Sequence, residues 1–162
     1  MAAIVQLDVI YGAAPGTVAT NVNDLNMGNA DVYPLNAANN PIAPGTNSYE
    51  RYARIHVVDM GGSTKISNLR VYRSGAALPS GISIKYGQTP NYATPVKTAS
   101  TIATVDIPTS LPTSENLFIG GAAGGALTAT GYSDYAVFQA QLDSTASVGG
   151  STTISFVYSE TA

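Results

Sequence analysis

The chain has 162 residues, of which 44% are hydrophobic and 10% charged, and its formal net charge at pH 7 is −3. This length suits a single domain, predicted over residues 1–162, with a core large enough to fold without metals or disulfides. The acidic balance argues against a nucleic-acid partner, and the absence of cysteine excludes a disulfide framework and a thiolate site.

The first residues, MAAIVQLDVIYG, have no basic region ahead of an apolar stretch, and Asp8 interrupts the apolar run. This is not the pattern of a secretory signal peptide. No stretch of the chain approaches the roughly 18 apolar residues of a membrane-spanning helix. We therefore expect a soluble protein that is made in a cytoplasm and has no membrane partner.

Apolar and polar residues alternate along much of the chain, which predicts strands with one buried face. In residues 3–11, Val5, Leu7 and Val9 share a face, while Gln6 and Asp8 point the other way. Similar short segments recur at 49–59, 65–73, 81–87, 101–107, 117–119, 134–142 and 152–158. The pattern therefore predicts about eight strands.

Two segments do not have a strand pattern. Residues 13–48 contain eight Asn and four Pro, which favour turns over sheet ladders. We predict a long N-terminal loop or arm here, with short strand pieces near 18–22 and 32–35. Residues 120–131, GGAAGGALTATG, are predicted to form a flexible loop.

Turn residues separate the predicted strands, at Gly61-Gly62, Ser74-Gly75, 79–81 and 147–151. No window has the apolar spacing and caps of a helix. Many short strands with Gly and Pro between them are typical of a sandwich or a jelly roll. We predict an all-β fold, namely a β-sandwich that is jelly-roll-like.

All seven basic residues lie between Arg51 and Lys97, together with one acid, Asp59, whereas the other nine acids lie outside this stretch. One interpretation is that these Arg and Lys side chains pair with acids on neighbouring strands. The alternative is a basic face that meets an acidic partner, with Arg51, Arg54, Arg70 and Arg73 as candidate contacts. Association through such a face would weaken as salt rises.

No motif in the chain predicts catalysis. His56 is the one histidine, and the nearby Asp59 points to the opposite face of its strand. The glycine run at 120–125 lacks the Lys and the helix of a phosphate loop. The few Glu and Asp residues do not form an evident pair for glycoside hydrolysis. We expect no enzyme activity and no cofactor.

Two binding motifs remain open alternatives. Residues 24–31 alternate oxygen-bearing side chains as a calcium loop does, but the closing Glu is missing and Asx-turns account for the pattern equally well. We predict no metal site. Tyr86 and Tyr92 bracket a loop and are candidates for a small aromatic platform in a carbohydrate-binding module.

Two longer stretches carry a resemblance, SYERYARIHVVDMGGSTKISNLRVYRSG at 48–75 and YSDYAVFQAQLDSTASVGGSTTISFVYSE at 132–160. They resemble small virion proteins of tailed bacteriophages, most of all the capsid decoration or cement proteins. The resemblance implies a β-sandwich or jelly roll that clamps major capsid subunits at the virion surface, often as a homotrimer. It implies no catalytic or binding residues. A tail or fibre component is the runner-up.

Overall fold

The computed structural model describes residues 1–147 and 149–162, and within them it contains ten β-strands and no helix. The strands are β1 Ile4–Tyr11, β2 Thr17–Ala19, β3 Arg51–Asp59, β4 Lys65–Arg73, β5 Ile82–Thr89, β6 Val105–Asp106, β7 Ala126–Leu127, β8 Gly131–Tyr132, β9 Tyr135–Leu142 and β10 Ile154–Thr161. The all-β prediction is confirmed, with ten strands rather than about eight.

The strands form two antiparallel sheets of unequal width. The larger sheet has seven strands in the order β2-β1-β3-β9-β5-β6, with β8 beside β3, and the smaller has the order β10-β4-β7. Core residues from both sheets belong to one hydrophobic cluster, so the sheets pack face to face. This arrangement is consistent with a β-sandwich.

Phe138 lies near the centre of the core between the sheets. Its side chain is fully buried on β9, with its ring centroid 5.4 Å from that of Tyr86 and 6.1 Å from that of Phe156 on the smaller sheet. These are ordinary separations for tilted and edge-on aromatic pairs. As the period-two pattern of the sequence predicts, alternate residues of β9, β5 and β10 face the core.

A bulge in β4 shapes the smaller sheet. Between the pairs Val157–Arg70 and Ser159–Ser67 the register shifts by one residue, which places the extra residue in β4. Asn68 lies in this bulge with φ 55°, a left-handed conformation that Asn tolerates better than most residues.

Residues 92–103 form a loop on the outer face of the larger sheet. The loop lies so close to β5 that a Cβ on Gly87 would be 2.0 Å from the carbonyl oxygen of Ile102. Ala103 is fully buried there and contributes to a second apolar cluster with Tyr52 and Val137. Glycine at position 87 thus permits the close approach that covers this face.

Buried polar residues hold the same loop. The side-chain nitrogen of Gln139 donates to the carbonyl of Thr98 at 2.8 Å, and its oxygen accepts the N–H of Ser100 at 2.9 Å. Glu50 accepts the Ser100 hydroxyl at 2.5 Å and the N–H of Val96 at 3.2 Å. Because their polar groups are paired, these residues stabilise the loop rather than weaken it.

Several predicted elements are wrong. No strand forms at 32–35, residues 117–119 make only isolated bridges, and 101–107 contains only the two-residue β6. The predicted loop at 120–131 contains β7 and the first residue of β8. The predicted turn at 147–151 falls between β9 and β10, and its Val148 lies outside the described residues.

Candidate contact surfaces

The four arginines predicted as partner contacts do not share one surface. Arg54 lies between two core residues of β3, and Arg70 between two core residues of β4, so they point outward from opposite sides of the core. Arg73 donates to the carbonyl of Ala76 at 2.5 Å, and Arg51 is only 2% exposed. A partner contact at these positions stays a prediction, but the basic stretch of the sequence is not one face in space.

Pairing of basic residues with acids on neighbouring strands is found for one of them. Lys85 on β5 lies 2.7 Å from Asp106, which is its register partner on β6. Within residues 1–147 and 149–162, this is the one ion pair that a Lys or Arg side chain makes. It is solvent-exposed at Asp106, so it contributes at most about 1 kcal/mol.

Arg51 is used inside the molecule to hold residues 13–48, hereafter the Asn-rich segment. Its two terminal nitrogens donate to the carbonyls of Val32 at 3.1 Å and Asn26 at 2.9 Å. Burial lowers the pKa of the Arg51 guanidinium, while the carboxylates of Asp31 and Asp24 act in the opposite direction. The positive charge near the carboxylates of the 24–31 stretch is therefore this side chain.

The Asn-rich segment also contacts the core. Leu25 and Met27 pack against the cluster between the sheets, and Leu35 is 3% exposed. Over residues 20–50 the chain has no strand, apart from an isolated bridge at Asn47. The irregular chain thus covers a part of the larger sheet that the smaller sheet leaves open.

His56 has an acidic neighbour that sequence reasoning missed. Its Nδ1 lies 3.0 Å from Oδ2 of Asp8, a fully buried residue on the adjacent β1. Gln6 donates to the other oxygen of Asp8 at 3.2 Å, and its amide nitrogen is 3.0 Å from the same Nδ1. The outward positions of Gln6 and Asp8 were evident, but only the β1–β3 register brings them beside His56.

Among the described residues, no serine or threonine hydroxyl is bonded to this acid–imidazole pair. The described contacts of His56 are with Asp8, Gln6 and the ring of Tyr132, whose centroid is 4.3 Å away, and none is a hydroxyl nucleophile. Arg54 lies over the same tyrosine ring at 3.7 Å. The cluster is therefore an interlocked polar patch on the outer face of the larger sheet.

Tyr86 and Tyr92 do not form the aromatic platform that their spacing in the sequence indicated. Tyr86 is 4% exposed in the core between the sheets, and its hydroxyl donates to the carbonyl of Asn116 at 2.7 Å. Tyr92 lies on the outer side of the larger sheet, where its ring centroid is 4.9 Å from that of Tyr52. The two rings face opposite sides, so they cannot stack on one sugar together.

A groove of about 670 Å³ opens where the two sheets separate. It is bordered by the Asn-rich segment, β5, β9 and the start of β10, and its apolar lining includes Leu7, Met27, Ile42, Ile84, Leu142 and Ile154. Among the described lining residues, Asp24 is the one with a charged side chain. Its size is that of small-molecule and peptide sites, and Ile154 links it to the edge of the smaller sheet.

β10 is the longest of the outermost strands in the two sheets. It has eight residues and, within residues 1–147 and 149–162, pairs only with β4, whereas the other outermost strands, β2, β6 and β7, have two or three residues. The side chains of Ile154, Phe156 and Tyr158 face the core but remain partly exposed. Its sequence contains no Lys, Arg or Pro, the residues that commonly protect an edge.

At the far end of β10, Glu160 joins the strand to the N-terminal region. Its carboxylate accepts the N–H of Ala3 at 2.8 Å and the hydroxyl of Ser63. These two hydrogen bonds lower the pKa of Glu160 below its ordinary value of 4.5, and the bond from Ser63 has the larger effect. The strand is thus fixed at this end, although no described residue pairs with its outer edge.

A comparison of the chain with protein-family models, with curated proteins and with solved structures found no match. Across the described residues, no three His, Asp or Glu side chains are grouped as ligands for a metal ion. The same part of the chain contains no helix that is long and apolar enough to cross a bilayer.

Proposed function

We propose that this chain is a structural protein that acts by contact with other protein subunits, without a catalytic role. The observation that carries the proposal is the unpaired edge of β10. An edge of eight residues exposes backbone donors and acceptors in register, and partly exposed apolar side chains lie beside them. Such an edge binds another strand readily, and an unprotected one favours a chain that is covered in its working assembly.

Within this class, we propose a small virion protein that decorates a phage capsid and stabilises it across subunit seams. The support is the resemblance of residues 48–75 and 132–160, which contain β3, β4, β9 and β10. Its partners would be the major capsid protein and further copies of itself, on the outside of particles assembled in a host cytoplasm. The jelly-roll-like topology belongs to this proposal and is supported by connections such as β3 to β4 and β4 to β5, which pass between the sheets.

A decoration protein stabilises a shell by binding the assembled state in preference to free subunits. The stabilisation per site is RT ln(1 + [L]/Kd), or about 2.7 kcal/mol when the free protein is at 100 times its Kd. The low content of charged residues supports this role, because few ions must be desolvated on contact.

Electron microscopy and mass spectrometry of purified virions test the proposal. We expect the protein at regular positions on the capsid, and particles stripped of it should lose their contents at a lower temperature. Added recombinant protein should restore that temperature. Absence of the protein from particles contradicts the virion proposal, and localisation to the tail supports the tail or fibre alternative.

A further inference from the structure

We infer that β10 pairs antiparallel with β10 of a second copy, about a two-fold axis at Val157, so that the two smaller sheets become one. This inference rests on the proposed contact function and names the partner at the β10 edge. The direction in which the backbone groups of β10 point determines which residues can pair across that edge.

The hydrogen bonds of Val71 on β4 show which backbone groups of β10 face its open edge. Val71 is the register partner of Phe156, yet its N–H donates to the side-chain oxygen of Asn116 at 2.7 Å and its carbonyl accepts the side-chain nitrogen of Asn116 at 2.9 Å. Both groups of Val71 thus point away from β10. In an antiparallel ladder the partner of such a residue also points away, so Phe156 presents its N–H and carbonyl to the open edge.

The neighbouring hydrogen bonds confirm the alternation along the strand. The carbonyl of Thr153 accepts the N–H of Ser74 at 2.9 Å, and the carbonyl of Thr161 accepts the N–H of Thr64 at 2.8 Å. The backbone carbonyls of these two odd-numbered residues thus point towards the β4 side and away from the open edge. Since the extra residue of the bulge lies in β4, β10 itself alternates without interruption. The residues whose backbone N–H and carbonyl groups face the open edge are Ile154, Phe156, Tyr158 and Glu160.

A two-fold axis at Val157 pairs every one of these residues. It sets Phe156 opposite Tyr158 of the second copy, and Ile154 opposite Glu160. Each of these is a hydrogen-bonded pair that exchanges two backbone bonds. Phe156 and Tyr158 add aromatic cross-strand contacts to the partly exposed edge of the core.

The charges also fit a second copy. Glu160 is the one ionisable carboxylate of β10, and in this register it faces an isoleucine rather than another acid. Like charges directly opposite each other would destabilise the pair, and none are present. The pairing therefore needs no partner of a different sequence. Because a two-fold interface uses the same patch on both copies, it closes at a dimer rather than at the trimer implied by the resemblance.

The register gives a sharp test, because it alone places residue 157 opposite itself. In Val157→Glu and in Val157→Lys, two like charges meet across the axis, in a non-hydrogen-bonded pair where side chains are closest. We expect the dimer Kd, measured by sedimentation over a wide concentration range, to rise about five-fold or more in each variant. A mixture of the two variants should recover a tight heterodimer.

Ser155→Glu is the matched control. Position 155 lies on the same face of the same strand but opposite Ser159 of the second copy, so no like charges meet and the wild-type Kd should be retained. Circular dichroism and thermal unfolding of all variants confirm the fold.

A wild-type protein that is monomeric or trimeric at every concentration overturns the inference, as does a dimer that Val157→Glu, Val157→Lys and Ser155→Glu affect alike. Virion binding by a monomeric wild type would leave the proposed function standing while refuting the dimer. A dimer that is absent from virions would do the reverse.

Discussion

Replacing Arg51 by methionine tests how much the buried cation contributes to the fold. The change keeps the apolar stem but removes two hydrogen bonds, to the carbonyls of Val32 and Asn26 at 3.1 and 2.9 Å. Each hydrogen bond from a charged donor contributes about 1.5–3 kcal/mol. Relief of the desolvated guanidinium offsets part of this loss, so we expect Arg51→Met to lower the free energy of unfolding by about 3 kcal/mol.

Urea denaturation measures this change, and hydrogen exchange locates it. Amides of residues 24–33 should exchange faster in Arg51→Met, because the side chain holds that segment to the end of β3. Arg70→Met is the control, since Arg70 is partly exposed and makes a single long hydrogen bond of 3.4 Å to Pro112. It should cost less than about 0.5 kcal/mol. Equal losses in the two variants, or unchanged exchange at 24–33, would refute the reasoning.

Three further predictions concern the core, the bulge and pH. Phe138→Ala should cost about 3–5 kcal/mol in urea denaturation, because it empties the fully buried centre of the core, whereas Val58→Ala at an exposed site should cost under about 0.5 kcal/mol. Asn68→Val should cost about 1–2 kcal/mol, since a β-branched residue is strained at φ 55°, and Asn68→Gly should cost much less. Glu160→Gln should lower the melting temperature at pH 7, and the difference from wild type should shrink as pH falls below 4.5 and through the folded-state pKa of Glu160, which two hydrogen bonds hold below that value.

Each of these has a clear contrary result. A Phe138→Ala loss as small as that of Val58→Ala would place Phe138 outside the core. Equal stability of Asn68→Val and Asn68→Gly would mean that the bulge does not require a left-handed residue. A melting-temperature difference for Glu160→Gln that does not shrink at any pH below 4.5 would show that ionisation of this carboxylate is not the cause.

The long strands could be predicted from the sequence, because period-two alternation over eight or nine residues rarely occurs outside a half-buried strand. The range predicted for β4, 65–73, is the observed one. The short strands could not be predicted: β7 and β8 have two residues each, and only their pairing with β4 and β3 makes them strands. The strand predicted at 117–119 was wrong for the opposite reason, since this apolar run has the composition of a strand but no continuous partner strand.

The polar contacts could not be predicted, because each joins residues that are distant in the sequence. Asp8 approaches His56 only through the pairing of β1 with β3, and one residue of slip would turn Asp8 to the other face. Arginine is rarely buried, so the position of Arg51 in the sequence favoured a surface role. Its burial follows from the Asn-rich segment closing over the end of β3, which no local pattern indicates.

The unequal width of the two sheets has a consequence for how the molecule opens locally. Where the smaller sheet covers the larger one, exposing the core requires breaking the hydrogen-bonded ladders of β10-β4-β7. Where the Asn-rich segment covers the larger sheet, only irregular chain has to move away. Partial opening should therefore start at the Asn-rich side, with a free energy well below that of global unfolding. Water and proteases would reach the inner faces of β5 and β9 from that side first.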